Sequence, residues 1–167
     1  MNKRERISDF VGSLEPLAGE QPWKHYYVAF FQLWNAQKYY EAHDVLEQLW
    51  LVEENVELAR FYKALIQAAG AFVHLQKNFE QPLHAKHGRR IRPATRLFAL
   101  ALRNLQELPD EFHGLELTAF RELLTRWCDE IMAQRFEQNP WSPQNAPRLS
   151  LRPIDSTARS TKSRQKK

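Results

Sequence analysis

With 167 residues, 43% of them apolar, the chain is sized for one domain with a proper hydrophobic core. Its formal charge of +4 sits in the tail: residues 148–167 carry seven basic residues against Asp155 alone, so the remainder is slightly acidic and only the tail argues for a polyanion partner. The single cysteine, Cys128, excludes an internal disulfide and argues against a cysteine-built zinc site, which fits a reducing, cytoplasmic compartment; no run approaches the roughly 20 apolar residues of a membrane span, and the start lacks the apolar segment of a secretory signal.

Residues 1–21 mix charges with glycine and proline and read as a loosely attached N-terminal arm, with a short turn of helix around residues 7–14. Residues 22–147 read as the helical domain. Pro22 suits the first position of a helix, and Trp23, Tyr26, Tyr27, Phe30, Phe31 and Trp34 follow at helical spacing, an aromatic stripe most simply read as core. After a break at residues 35–38 a second helix runs to about Leu51. A third spans residues 57–77 and turns Leu58, Phe61, Tyr62, Leu65 and Phe72 inward. Gly70 in its middle costs about 1 kcal/mol relative to alanine, so another backbone is expected to approach closely there. Residues 78–92 form a basic loop. Pro93 opens a fourth helix with Leu97, Phe98, Ala101 and Leu105 on one stripe, and past the turn between Pro109 and Gly114 a fifth helix buries Leu117, Phe120, Leu124, Trp127 and Ile131. The expected architecture is all-α: about five helices in a compact bundle built on an antiparallel helical hairpin. Trp141 is the expected anchor of the proline-punctuated segment after Phe136, and residues 148–167 are expected to form a basic, mostly disordered tail.

The second helix, YYEAHDVLEQLW, concentrates the chemistry. At about 100° per residue Tyr40, His43, Glu47 and Trp50 share one stripe with Asp44 at its edge, opposite the apolar Ala42, Val45, Leu46 and Leu49. His43 and Glu47 stand at i and i+4, a spacing suited to metal ligands, and nitrogen with carboxylate oxygen suits zinc, manganese or iron. A third ligand has to come from elsewhere. His74 is the tempting choice, but antiparallel packing sets His43 level with Leu65 and His74 level with Trp34, which separates the two imidazoles by about 13 Å along the axis. The same geometry pairs Glu41 with Gln67 and Glu47 with Lys63, a hydrogen bond and a salt bridge that lock two helices without any chemistry.

Glu41, Ala42, His43, Asp44, Glu47 and Trp50, followed by Leu65, Ile66, Gln67, Ala69 and His74 on the next helix, resemble the signature of the bacterial and archaeal domain of unknown function family 309. The resemblance covers about residues 27–105 and implies a small all-helical domain, with no established activity to carry over. Asp44 stands where the family usually has glutamate, which keeps the charge but shortens its reach by one methylene.

Three functional classes follow. The first, and favoured, is a helical binding or interaction module, with a homodimer among its partners, in which Tyr40, Glu41, Trp50, Lys63, Gln67 and His74 line the ligand-facing surface. The second is a small-ligand or metal-dependent acid–base enzyme of hydrolase type, with His43 titrating near neutrality and Glu47 or Asp44 orienting it. A divalent metal on His43 and Glu47 is compatible with that class but is not expected. Cys128 reads as a buried, inert thiol. Arg89, Arg90, Arg92 and Arg96 lead into a helix N-terminus and form the candidate site for a small anionic ligand. The third class is a nucleic-acid-associated protein, suggested only by the tail or this basic loop.

Overall fold

The computed structural model describes residues 2–13 and 21–154. Among them are six α-helices: α1 (Lys3–Ser13), α2 (Pro22–Asn35), α3 (Tyr39–Trp50), α4 (Val56–Glu80), α5 (Ile91–Leu105) and α6 (Leu117–Ala133). The protein is all-α apart from one small antiparallel pair, β1 (Glu111–Phe112) with β2 (Leu115–Glu116). His113 and Gly114 join the two strands with φ of 50° and 78°, the positive pair that a two-residue hairpin turn requires. A side chain at Gly114 would also meet the Arg152 carbonyl at 2.7 Å, so glycine is needed there for space as well as conformation.

Each helix starts and stops for local reasons. Pro22 occupies the first turn of α2. Asn55 caps α4 by accepting from the Leu58 N–H, and Glu116 caps α6 by accepting from the Ala119 N–H. At the far end of α5, Arg121 of α6 donates to the carbonyls of Leu105 and Leu108, satisfying acceptors that a helix terminus leaves open. Pro93 lies inside the first turn of α5 rather than opening it, because a proline in that turn removes no helical hydrogen bond.

α3 and α4 pack as the expected antiparallel hairpin, with Gln76 Nε2 donating to the Gln37 carbonyl at 3.0 Å. α5 lies along the other side of α4. There the neighbour of Gly70 is a side chain and not a backbone: a Cβ at this position would stand 3.2 Å from Leu97 Cδ1. The centre of the core is aromatic, with Trp34, Tyr39, Phe72 and Phe120 fully or almost fully buried and Phe72 edge-on to both Trp34 and Trp127.

Where they are described, the terminal segments are more ordered than the expected arm and tail, and Trp141 is the expected anchor. α1 is a three-turn helix whose Ile7 and Val11, one turn apart, are buried against α2 and α3. Leu14, expected in the same turn, lies outside the described residues. At the other end, residues 139–154 strap across the bundle. Asn139 donates to the Leu75 carbonyl, Trp141 is buried with its indole N–H 3.3 Å from the Tyr39 hydroxyl, and Trp34 Nε1 donates to the Pro147 carbonyl. Residues 148–154, expected within a disordered tail, are held because Asn35 pairs with both backbone groups of Leu149 at 2.8 Å and the Arg152 N–H reaches the Gly114 carbonyl. The basic residues 155–167 lie outside the described residues.

Candidate functional site

α3 presents Asp44 and Glu47 to α1, with His43 beside Asp44. Each offers one ligand atom, and the three atoms lie within 4.8 Å of one another. Asp44, placed at the edge of the stripe by helical periodicity, is buried, while the side chains of His43 and Glu47 are 32% and 30% exposed. The space between the carboxylates is taken by Lys3 of α1, whose ammonium stands 2.8 Å from Asp44 Oδ1 and 2.9 Å from Glu47 Oε2. Partial burial works against the Lys3 charge, but hydrogen bonds and attraction from the two carboxylates outweigh it and hold the ammonium well above the ordinary lysine pKa. His43 Nδ1 lies 3.2 Å from the same Asp44 oxygen, so that carboxylate serves lysine and imidazole together.

The donor set therefore fits a cation of two kinds. An ammonium satisfies the two carboxylates, as Lys3 does. One imidazole nitrogen with two carboxylate oxygens also matches what zinc, manganese or iron accepts, provided Lys3 is elsewhere.

The other candidates on this face are arranged differently from the expectation. Glu47 takes its cation from Lys3, while Lys63 stands over the Trp50 ring at 5.9 Å, so the Glu47–Lys63 bridge does not form. Gln67 faces α5, where its Oε1 accepts from Asn104 at 2.7 Å, so it is not the partner of Glu41. Lys3 of α1 thus takes the place expected for Lys63 at Glu47, and Asn104 of α5 the place expected for Glu41 at Gln67. Glu41 and Tyr40 instead line a groove of about 300 Å³ beside α1, together with Lys3, Arg6 and Phe10. A second groove of about 560 Å³ opens on the other flank of α1, between Arg4, Ile7, Trp23, Tyr26 and Leu49. Trp34 and Phe61 are sealed in the core and do not close the site.

A separate basic cluster forms where α4 meets the start of α5. Arg90 donates from Nη1 to His74 Nδ1 at 3.0 Å and from Nε to His87 Nδ1 at 2.7 Å. A guanidinium can only donate, so both Nδ1 atoms accept and the His74 proton sits on Nε2. Burial, then Arg90 and Arg96, pull the His74 pKa down to about 4. His87 is also lowered, by desolvation and then by Arg90, His84, Lys77 and Lys86. His74 thus belongs with Arg90 and not with His43. The four arginines expected to form one anion site do not converge: Arg92 stacks on the Phe136 ring at 4.2 Å, and Arg89 points into solvent.

Two residues carry almost no mark in the sequence, Lys3 at the carboxylates and His113 away from both sites. Lys3 sits in a charged arm where nothing marks one lysine from its neighbours. His113 fills an aromatic nest, its ring centroid 4.9 Å from that of Trp23 and 4.5 Å from that of Tyr27, with the Tyr27 hydroxyl donating to its carbonyl. Only the His-Gly turn hinted at it, and its role is to key the hairpin into α2. Cys128 is partly buried, and burial with the nearby Asp129 pushes its thiol pKa up, away from thiolate chemistry.

The stripe of α3 lies within a segment, from the middle of α2 to the end of α4, that a known family model matches. Residues 27–83 match the family model described as Domain of unknown function (DUF309). The resemblance drawn from the α3 and α4 signature is thereby borne out over this segment. The DUF309 segment contains His43, Asp44, Glu47 and His74, whereas Lys3, Arg90 and Arg96 lie outside it. A protein of Aquifex aeolicus (strain VF5), described as an uncharacterized protein, is 28% identical over 107 residues, covering 64% of this chain and 28% of the relative. The match thus spans well under two thirds of that relative's length. No solved structure matches the chain.

Proposed function

We propose that the protein is a helical interaction module whose α2–α3 face receives a basic amphipathic helix, with α1 as its resident occupant. One observation carries the reading: a lysine ammonium from α1 sits between two carboxylates of α3 at 2.8 and 2.9 Å. The supporting chemistry is simple. α1 is KRERISDFVGS, with Ile7 and Val11 on its buried face and Lys3, Arg4 and Arg6 near its start. A helix with those two properties meets an apolar seat and an acidic anchor. The grooves on both flanks of α1 leave room for a larger helix than the one seated there. A second copy's α1 is the simplest alternative occupant, which keeps a homodimer within this reading, as the lone Cys128 keeps a cytoplasmic location. No helix among the described residues is long and apolar enough to cross a membrane.

The reading is tested by hydrogen exchange on α1. Replacing Asp44 and Glu47 with Asn and Gln should accelerate exchange across residues 3–13 while leaving α4 and α6 protected. Uniform exchange in both proteins would remove the acidic anchor from the account.

A second reading rests on the same three residues, whose ligand atoms cluster within 4.8 Å. With Lys3 withdrawn, His43, Asp44 and Glu47 would hold a divalent metal that activates a water, and the protein would be a metal-dependent enzyme of hydrolase type. Elemental analysis of Lys3→Met distinguishes the two: metal well below one equivalent per chain sinks this reading and leaves the first untouched.

A further inference from the structure

We propose that His74, Arg90 and Arg96, at the junction of α4 and α5, form a binding site for a phosphate group. The starting point is the state of Arg90. It is half-buried, and two of its five N–H donors are spent on neutral imidazoles from two different elements, His74 on α4 and His87 in the turn at His87–Arg89. Those two bonds hold the guanidinium in one orientation and leave its remaining donors for an oxyanion, which it meets in a fork that matches phosphate oxygens. Among the described residues no carboxylate forms an ion pair with Arg90, Arg96, Arg89, Lys77 or Lys86. Uncompensated positive charge of this density is unfavourable in the absence of a counter-ion, and after burial it is Arg90 and Arg96 that keep the His74 ring neutral. The arrangement also lies at the start of α5, whose cap position is Arg90 itself and carries no side-chain cap, so the positive end of the helix adds to the field.

Burial depresses His74 most, and Arg90 and Arg96 add to it; a bound phosphate would offset the share that comes from the arginines, so the proton affinity of the ring should rise on binding. The charged and titratable groups around the two imidazoles are Arg90 and Arg96 at His74, and Arg90, His84, Lys77 and Lys86 at His87. All of them act in the same direction, which makes the histidine ring a reporter of the anion.

The experiment follows the ring C–H resonance of His74 by NMR while inorganic phosphate replaces chloride at constant ionic strength, with adenosine monophosphate and adenosine as parallel titrants. A saturable shift with phosphate and with the nucleotide, none with adenosine, and a His74 pKa climbing from about 4 are the expected results. Tighter binding of the nucleotide assigns the site to a phosphate ester; equal affinity assigns it to free phosphate. Arg96→Met, at an exposed position, should weaken binding on the order of tenfold, the worth of one charge-assisted hydrogen bond. Arg90→Met should abolish it, with circular dichroism confirming that the variant folds; should it not fold, Arg96→Met carries the test. A shift that only follows ionic strength, or unchanged phosphate affinity in Arg96→Met, overturns the proposal.

Discussion

Lys3 and His74 show how one neighbour decides what a titratable group does. Lys3 carries its charge into a partly covered place because two carboxylates await it, yet its side chain remains 43% exposed, so solvent screens much of the attraction. Lys3→Met is therefore expected to cost about 1 kcal/mol or less in urea denaturation, while exposing a buried Asp44 that keeps only His43 as partner. His74 has the opposite sign. Its folded pKa of about 4 lies below the ordinary value of 6.5, so between those values the unfolded chain binds a proton that the folded chain refuses. The contribution is neutral above pH 6.5, and stability is lost as the pH falls through the window down to about 4. Comparing unfolding free energies of the native protein and His74→Gln across that range should show a shallower acid slope in the variant.

Among the elements, the strap and α1 behave as opposites. Trp141 packs edge-on to Tyr39 and to Phe79, is almost wholly buried, and is backed by hydrogen bonds from Trp34 and Asn35 to the chain beyond it. Trp141→Ala should destabilise by about 3–5 kcal/mol and make residues 139–154 the first site of proteolysis. α1 buries only Ile7 and Val11 and is anchored by one lysine, which is the profile of an element that opens locally before the bundle unfolds. The four central helices and α6 were legible because their apolar residues recur at 3.6-residue spacing over three or more turns. α1 was not, since two buried residues among seven charged or polar neighbours make a weak pattern, though Ile7, Phe10 and Val11 do keep the spacing. The strap was legible only at its anchor, Trp141, which is buried as expected; the rest has no period, and its order comes from Asn35, Trp34 and Gly114, all distant in sequence. In the same way His43, Asp44 and Glu47 could be placed on one helix, but which neighbour they face depends on the rotation of α3 within the bundle, which periodicity does not supply.

For the whole molecule, the arrangement is a helical bundle with an aromatic core, strapped at one end by the C-terminal segment and latched on its acidic face by α1. The sites lie apart: the carboxylates of α3 take a cation, and the junction of α4 and α5 offers a place for an anion. The DUF309 segment supplies the acidic face, while the latch and the arginines come from outside it. The central claim is that the α2–α3 face recognises a basic amphipathic helix. It is tested most directly by titrating a peptide of residues 2–13 into the protein lacking residues 1–13, followed calorimetrically. The account predicts saturable one-to-one binding that weakens with salt and disappears when Asp44 and Glu47 become Asn and Gln. Absence of binding by a folded truncated protein, or binding that survives loss of both carboxylates, would contradict it.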